Sequence, residues 1–160
     1  MSLNPACQSY WQAYLGRLGA LADQRIHKVV ASYAGSRETT NGLIDLYLAG
    51  VKSAGSGVAE DYASAGDPLP EVGDHWIALG ADGEPRCILR TRQVEIHRFK
   101  DVPERIAVAE GEGDLTLGYW RCAHASQYIP YLQEWGMNNI EEATIVTEFF
   151  DLVFPTVPLT

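Results

Sequence analysis

The chain opens on a helical pattern. Asn4-Pro5 sets a capping side chain before a proline, whose missing N–H costs nothing in the first turn of a helix. Tyr10, Trp11, Tyr14, Leu15, Leu18 and Leu21 then recur at helical spacing, which predicts an N-terminal helix with one aromatic, apolar face. A second helix is predicted from about Thr40 to Ala49, where Leu43, Ile44, Tyr47 and Leu48 share a face and Gly50 supplies the left-handed terminator. The prolines and glycines of DYASAGDPLPEVG (residues 61–73) read as a loop. HWIALGA (His75 to Ala81) reads as a strand, ADGE as a hairpin turn, and Pro85 to Phe99 as the return strand. Alternation places Cys87, Leu89 and Thr91 on one face of that strand and Ile88, Arg90 and Arg92 on the other. A further helix is predicted from near Asp114 or Thr116, ended or kinked at Pro130, and ATIVTEFFDLVF (residues 143–154) is predicted as the strand that completes a sheet. Helices first, then a hairpin, a helix and a last strand predict an α+β fold around a small mixed or barrel-like sheet.

One stretch breaks this pattern. In LAGVKSAGSG, Leu48 to Gly57, a single lysine follows an apolar run and precedes five small residues. Lysine is ordinarily a solvated surface group, and a cation just past a helix C-terminus is mildly favoured by the helix dipole. A chemical reading competes with that one. Lys52, Ser53 and Ser56, together with Glu110 and Glu112 of EGEGD, make a set of amine, hydroxyls and carboxylates able to move a proton between water and a leaving group. Lys52 acts as a base only where burial or a neighbouring cation lowers its proton affinity.

Composition narrows the classes open to the chain. Its 160 residues, 46% hydrophobic and 21% charged, suit one ordinary globular domain. No apolar run reaches the ~20 residues of a membrane span, and MSLNPACQSYW has neither a basic start nor an apolar core, so a cytoplasmic protein with no membrane partner is expected. Cys7, Cys87 and Cys122 are too widely spaced for a disulfide framework or a structural zinc site, and His27, His75, His97 and His124 are equally scattered. The net charge of −9 opposes broad binding to a polyanion, so any nucleic-acid contact must be local; Arg86, Arg90, Arg92, Arg98 and Lys100 are the candidate basic patch. There is no GxSxG elbow, phosphate-binding GxxxxGK[ST] loop or GxGxxG turn, and Cys122 and His124, two apart in a helical stretch, do not pair by adjacency.

Four ordered blocks carry a resemblance: LIDLYLAGVKSA, PLPEVGDHWIALGADGEPRCILRTRQVEI, AEGEGDLTLGYWRCAH and TEFFDLVF. Together they resemble the ASCH family in its bacterial stand-alone form. The resemblance implies a PUA-like small β-barrel surrounded by helices, with the extra N-terminal helix outside it. On that division residues 1–32 are a helical extension, 33–154 the ASCH domain and 155–160 a tail. It also implies an RNA-binding protein whose partner is single-stranded RNA or a nucleoside; a ribonuclease-like hydrolase that cleaves or processes single-stranded RNA is the leading expectation, ahead of an N4-acetylcytidine amidohydrolase, with a binding module without turnover as a further alternative. No tightly bound cofactor is implied, and a divalent ion is compatible with strand cleavage. In deacetylating relatives a lysine, a threonine three residues later and a glutamate do the work; the lysine falls on Lys52, the glutamate on Glu112, and the threonine on Gly55, which has no hydroxyl. Ser53 or Ser56 is then the hydroxyl available. For RNA, Lys52, Glu112 and Ser53 are the expected catalytic groups, Ser56, Arg90, Arg92 and Ser126 the expected contacts to phosphate or sugar, and Tyr33, Tyr47 or Tyr128 the expected stacking platforms.

Overall fold

The structure, a computed structural model, describes residues 2–24 and 28–155; His27 and the tail beyond Pro155 lie outside the described residues. Among the described residues, five helices and five strands follow one another as α1 (Pro5–Leu18), β1 (Val29–Tyr33), α2 (Thr40–Leu48), β2 (Ala54–Val58), α3 (Ala59–Ala65), β3 (His75–Leu79), β4 (Pro85–Arg98), α4 (Glu104–Glu110), α5 (Leu117–Tyr128) and β5 (Thr144–Phe154), with short 3-10 turns between some of them. The strands hydrogen-bond in the order β1-β3-β4-β5-β2, with β1 parallel to β3 and both the β3–β4 and β2–β5 pairs antiparallel. The α+β class predicted from the pattern is the observed one. The chain divides into two compact units, Met1–Gly50 with Val72–Arg92 and Phe150–Thr160, and Val51–Glu71 with Gln93–Phe149.

The first unit holds α1, α2, β1, β3 and the hairpin end of β4. Asn4 caps α1 by accepting from the Cys7 N–H at 2.8 Å, and Pro5 opens the helix as the sequence predicts. The aromatic face of α1 is packing: Trp11 and Tyr14 lie against the His75 ring, and Cys7, Ile77, Ile88 and Phe154 complete the cluster. Ile88 is therefore buried along with Cys87 and Leu89, so this part of β4 is covered on both faces. The predicted one-sided alternation does not hold there, because α1 covers the second face. On the other face Ile44 and Tyr47 of α2 pack with Ala34, Ala78, Leu89 and Phe150. Thr40, fully buried, accepts from the Ala34 N–H at 2.8 Å and donates to the Leu79 carbonyl at 2.7 Å, tying the start of α2 to the ends of β1 and β3.

The second unit departs more from the sequence pattern. The stretch AGSGV is a strand, although its two glycines have poor strand propensity; it forms because it pairs in register with Ile145 to Phe149, whose branched and aromatic side chains supply the apolar contacts. The smallness of β2 also makes room, since a Cβ on Gly57 would sit 3.3 Å from the Tyr62 ring. The predicted loop from residue 61 begins instead as the end of α3, closed by Gly66 in the left-handed conformation. Helix α4 was not foreseen; Ile106 and Ala107 pack inward with Phe99, Val102, Trp120, Tyr128 and Phe149.

Gly111 ends α4 at φ 67°, and a Cβ there would lie 2.3 Å from the Val51 carbonyl oxygen. Beside it the Ser53 N–H donates to the Ala109 carbonyl at 2.7 Å. Residues 51–53 and 109–111 thus run backbone against backbone, closer than any side chain permits. Gly111→Ala is expected to cost at least about 3 kcal/mol from the left-handed backbone and overpacking together. Gly136→Ala, at φ 71° with nothing within 4 Å of its Cβ, is expected to cost only about 1–2 kcal/mol. Urea unfolding of the two variants measures the difference.

Candidate functional site

The close approach at Gly111 brings Lys52 to the end of α4. Its ammonium donates to the Glu110 carbonyl and to Glu112 Oε2, each at 3.2 Å, and lies 3.8 Å from Glu110 Oε1. The Lys52 side chain is only 5% exposed, so this lysine is a core group and not the solvated one that the residue type suggests. Glu112, at 34% exposed, is the carboxylate of the pair that faces outward.

Glu110 is the centre of the arrangement. Its side chain is 3% exposed, yet each carboxylate oxygen has two partners. Oε2 accepts from the Trp120 indole N–H and from the Ser56 hydroxyl, the latter at 2.8 Å. Oε1 faces Lys52 and, at 3.3 Å, His124 Nε2. Because the Ser56 proton goes to Glu110, its 2.8 Å contact with Thr147 is one in which Thr147 donates. Tyr128 completes the wall by donating to the Ser56 carbonyl at 3.1 Å, and burial raises its phenol pKa far above the ordinary value.

The His124 ring is oriented twice. Nδ1 lies 2.8 Å from the Trp120 carbonyl, which only accepts, so Nδ1 carries a proton; the ring also stacks on the Trp120 indole at 4.1 Å. Nε2, on the opposite side of the ring, faces Glu110 Oε1 at 3.3 Å. Burial pushes the Glu110 carboxyl up, but the His124 hydrogen bond and charge, Lys52 and the Trp120 indole outweigh it, and the net pKa is below the ordinary 4.5.

Glu110, Glu112, Trp120 and His124 border a cleft of about 80 Å³ that is also lined by Ala107, Tyr119, Ala123 and Gln127. Residues 120, 123, 124 and 127 form one face of α5, and Ala123 leaves space in its middle. Among the described residues no group of three or more His, Cys, Asp and Glu side chains is arranged to hold a metal ion, and no helix is long and apolar enough to cross a membrane.

Of the residues singled out from sequence, Lys52, Glu112 and Ser56 come together here. Ser53 is adjacent, with its hydroxyl 3.4 Å from the Ala109 carbonyl. Ser126 is exposed on α5 and does not line the cleft, and Tyr128 is 5% exposed, buried in the wall. Tyr33, Tyr47, Arg90 and Arg92 belong to the other unit. There Tyr47 packs edge-on against Trp76 and Phe150, Tyr33 is half-buried in β1, Arg90 is half-buried, and Arg92 lies 3.6 Å from Asp151. The candidate basic patch is largely neutralised: Arg86 pairs with Asp45 and Lys100 with Glu142, while Arg98 donates to the Glu142 carbonyl. Glu110 was named with Glu112 but not ranked above it, and Trp120 and His124 were missed. The available signal is their four-residue spacing, which puts both on one helical face.

An α+β protein with a buried, fully partnered carboxylate at the floor of a cleft is the class that these features define. The ASCH domain family model matches residues 30–154, and the chain belongs to that family. Similar solved structures are an ASCH domain from Lactobacillus crispatus JV V101, 27% identical with a TM-score of 0.87 over 96% of this chain and 97% of that one, and a protein from Enterococcus faecalis V583, 29% identical with a TM-score of 0.76 over 93% and 90%. No match was found among curated proteins.

The lowered Glu110 pKa carries a sign. The carboxylate's stabilising contribution is complete above its unfolded value near 4.5 and is lost as the pH falls through the lower folded value. Unfolding free energy measured in urea between about pH 6 and pH 2 is expected to decline on the acid side more steeply in the wild type than in Glu110→Gln. At neutral pH the same substitution is expected to cost about 3–5 kcal/mol, because Lys52 and His124 lose their shared partner.

Proposed function

We propose that this ASCH protein acts on RNA at the level of a single nucleobase and hydrolyses an N-acyl group on it, with Glu112 as the proton-transfer group and Lys52 as the oxyanion stabiliser. The observation that carries this reading is the 3.2 Å contact between the buried Lys52 ammonium and the outward-facing Glu112 carboxylate. RNA as the target is supported by family membership, and the base as the reacting part by charge. Glu110 and Glu112 both line the cleft, and Lys52, buried behind them, is already paired with both, so a phosphodiester entering the cleft meets Glu112 with no unpaired cation to neutralise it. A neutral, donor-bearing base meets no such repulsion. The same argument ranks strand cleavage, which needs positive charge at the phosphate, below base hydrolysis.

In the proposed reaction Glu112 takes a proton from water as the water oxygen bonds to the acyl carbon. Lys52 stabilises the developing oxyanion, the C–N bond breaks, and the base nitrogen leaves with a proton returned from Glu112. Water and the N-acyl base become a carboxylic acid and a free amine. No acyl-enzyme forms at position 55, because Gly55 has no hydroxyl; the water attacks directly. Glu110, itself paired with His124, holds Lys52 in place.

The test is one RNA strand containing N4-acetylcytidine, incubated with the purified protein and read by mass. Acetyl loss from an intact strand is expected, reduced at least ~100-fold in Glu112→Gln with a melting temperature close to the wild type. A cut strand, or a strand that stays whole and acetylated, overturns the reading.

A further inference from the structure

Tyr119 is an aromatic group that the sequence pattern did not single out, and it lines the cleft. It is 44% exposed, whereas Trp120 and His124 beside it are buried. Its position is determined from two directions. Its backbone N–H donates to the Thr116 side chain at 3.1 Å, in the cap of α5, and its ring folds back over Gly113. A Cβ on Gly113 would stand 2.5 Å from each of three atoms of the Tyr119 ring, so the ring lies face-on against the glycine with no room for a side chain between them. Gly113 itself is left-handed at φ 59°, and Leu115, two residues on, also has positive φ at 66°. Asp114 braces the same loop by accepting from the Thr116 N–H and hydroxyl at 3.0 and 2.6 Å.

An exposed ring held flat by its backbone seat loses little freedom when a planar group lands on it, which is what a stacking platform requires. The geometry points to Tyr119 as the surface on which the substrate base stacks, with Glu112 and Gln127, which line the same cleft, meeting the base edge. Glu112 only accepts hydrogen bonds and Gln127 both donates and accepts, so the edge they suit carries an amino-type donor beside an acceptor, as cytosine does. This inference rests on the proposed function. Gly113 is then required for recognition as well as for the turn, since any side chain there displaces the platform.

Calorimetric titration with the nucleoside N4-acetylcytidine tests it, in the wild type, Tyr119→Phe, Tyr119→Ala and Gly113→Ala. The wild type is expected to bind, Tyr119→Phe to bind within about twofold, and Tyr119→Ala to bind roughly 5- to 100-fold more weakly. Gly113→Ala is expected to weaken binding comparably with the tyrosine still present, its fold checked by circular dichroism. Wild-type binding that Tyr119→Ala leaves unchanged overturns the platform while sparing the proposed function. Failure of the wild type to bind the nucleoside overturns both.

Discussion

A carboxylate with almost no exposure to water organises the second unit of this protein. Burying an ionised carboxylate costs several kcal/mol even after relaxation, and that cost is recovered only when its lone pairs find well-placed donors. Glu110 has four partners, contributed by β2 (Ser56), the segment before it (Lys52) and two turns of α5 (Trp120 and His124). Each of these elements is located by the requirement to reach the same two oxygens. The cluster is a constraint more than a source of net stability: substituting apolar residues for the whole set is less harmful in principle than removing one member.

What lets the donors converge is the absence of side chains. Gly111 allows the end of α4 to meet the backbone at Val51 and Lys52, and the small residues of β2 let Tyr62 lie over Gly57. The lysine that follows Val51 is thereby aimed at α4 instead of solvent. The glycines of EGEGD, which from composition alone suggest a flexible loop, serve two close contacts: Gly111 beneath the Lys52 backbone and Gly113 beneath the Tyr119 ring. Flexibility in sequence becomes rigidity in structure because each glycine position is filled by a neighbour.

The acidity of the whole chain and the charge balance of the cleft point the same way. A net charge of −9 gives no general attraction for a polyanion, and much of the candidate basic patch is engaged by Asp45, Glu142 and Asp151. Such exposed pairs contribute little to stability. Their effect here is to remove the long-range positive field that would draw in a phosphate backbone. On the function proposed above, recognition falls to short-range chemistry: stacking, hydrogen bonds to a base edge, and a proton handed between Glu112 and the substrate.

The elements legible in the chain were those that satisfy themselves locally. Helix α1 carries its own cap in Asn4 and its own apolar face, α2 its own periodicity, and β3, β4 and β5 are made of branched and aromatic residues joined or bounded by clear turns. Four sequence blocks were enough for the family, and Lys52 with Glu112 for two members of the candidate site. Strand β2, helix α4 and the roles of Glu110, Trp120 and His124 were decided only by tertiary structure. AGSGV becomes a strand because β5 lies beside it, and its low propensity carries no trace of that partner. A buried carboxylate is likewise indistinguishable in sequence from an exposed one two residues away. Glu110 and Glu112 have the same side chain and nearly the same neighbours, and what separates them is the direction in which the end of a helix leaves each one facing.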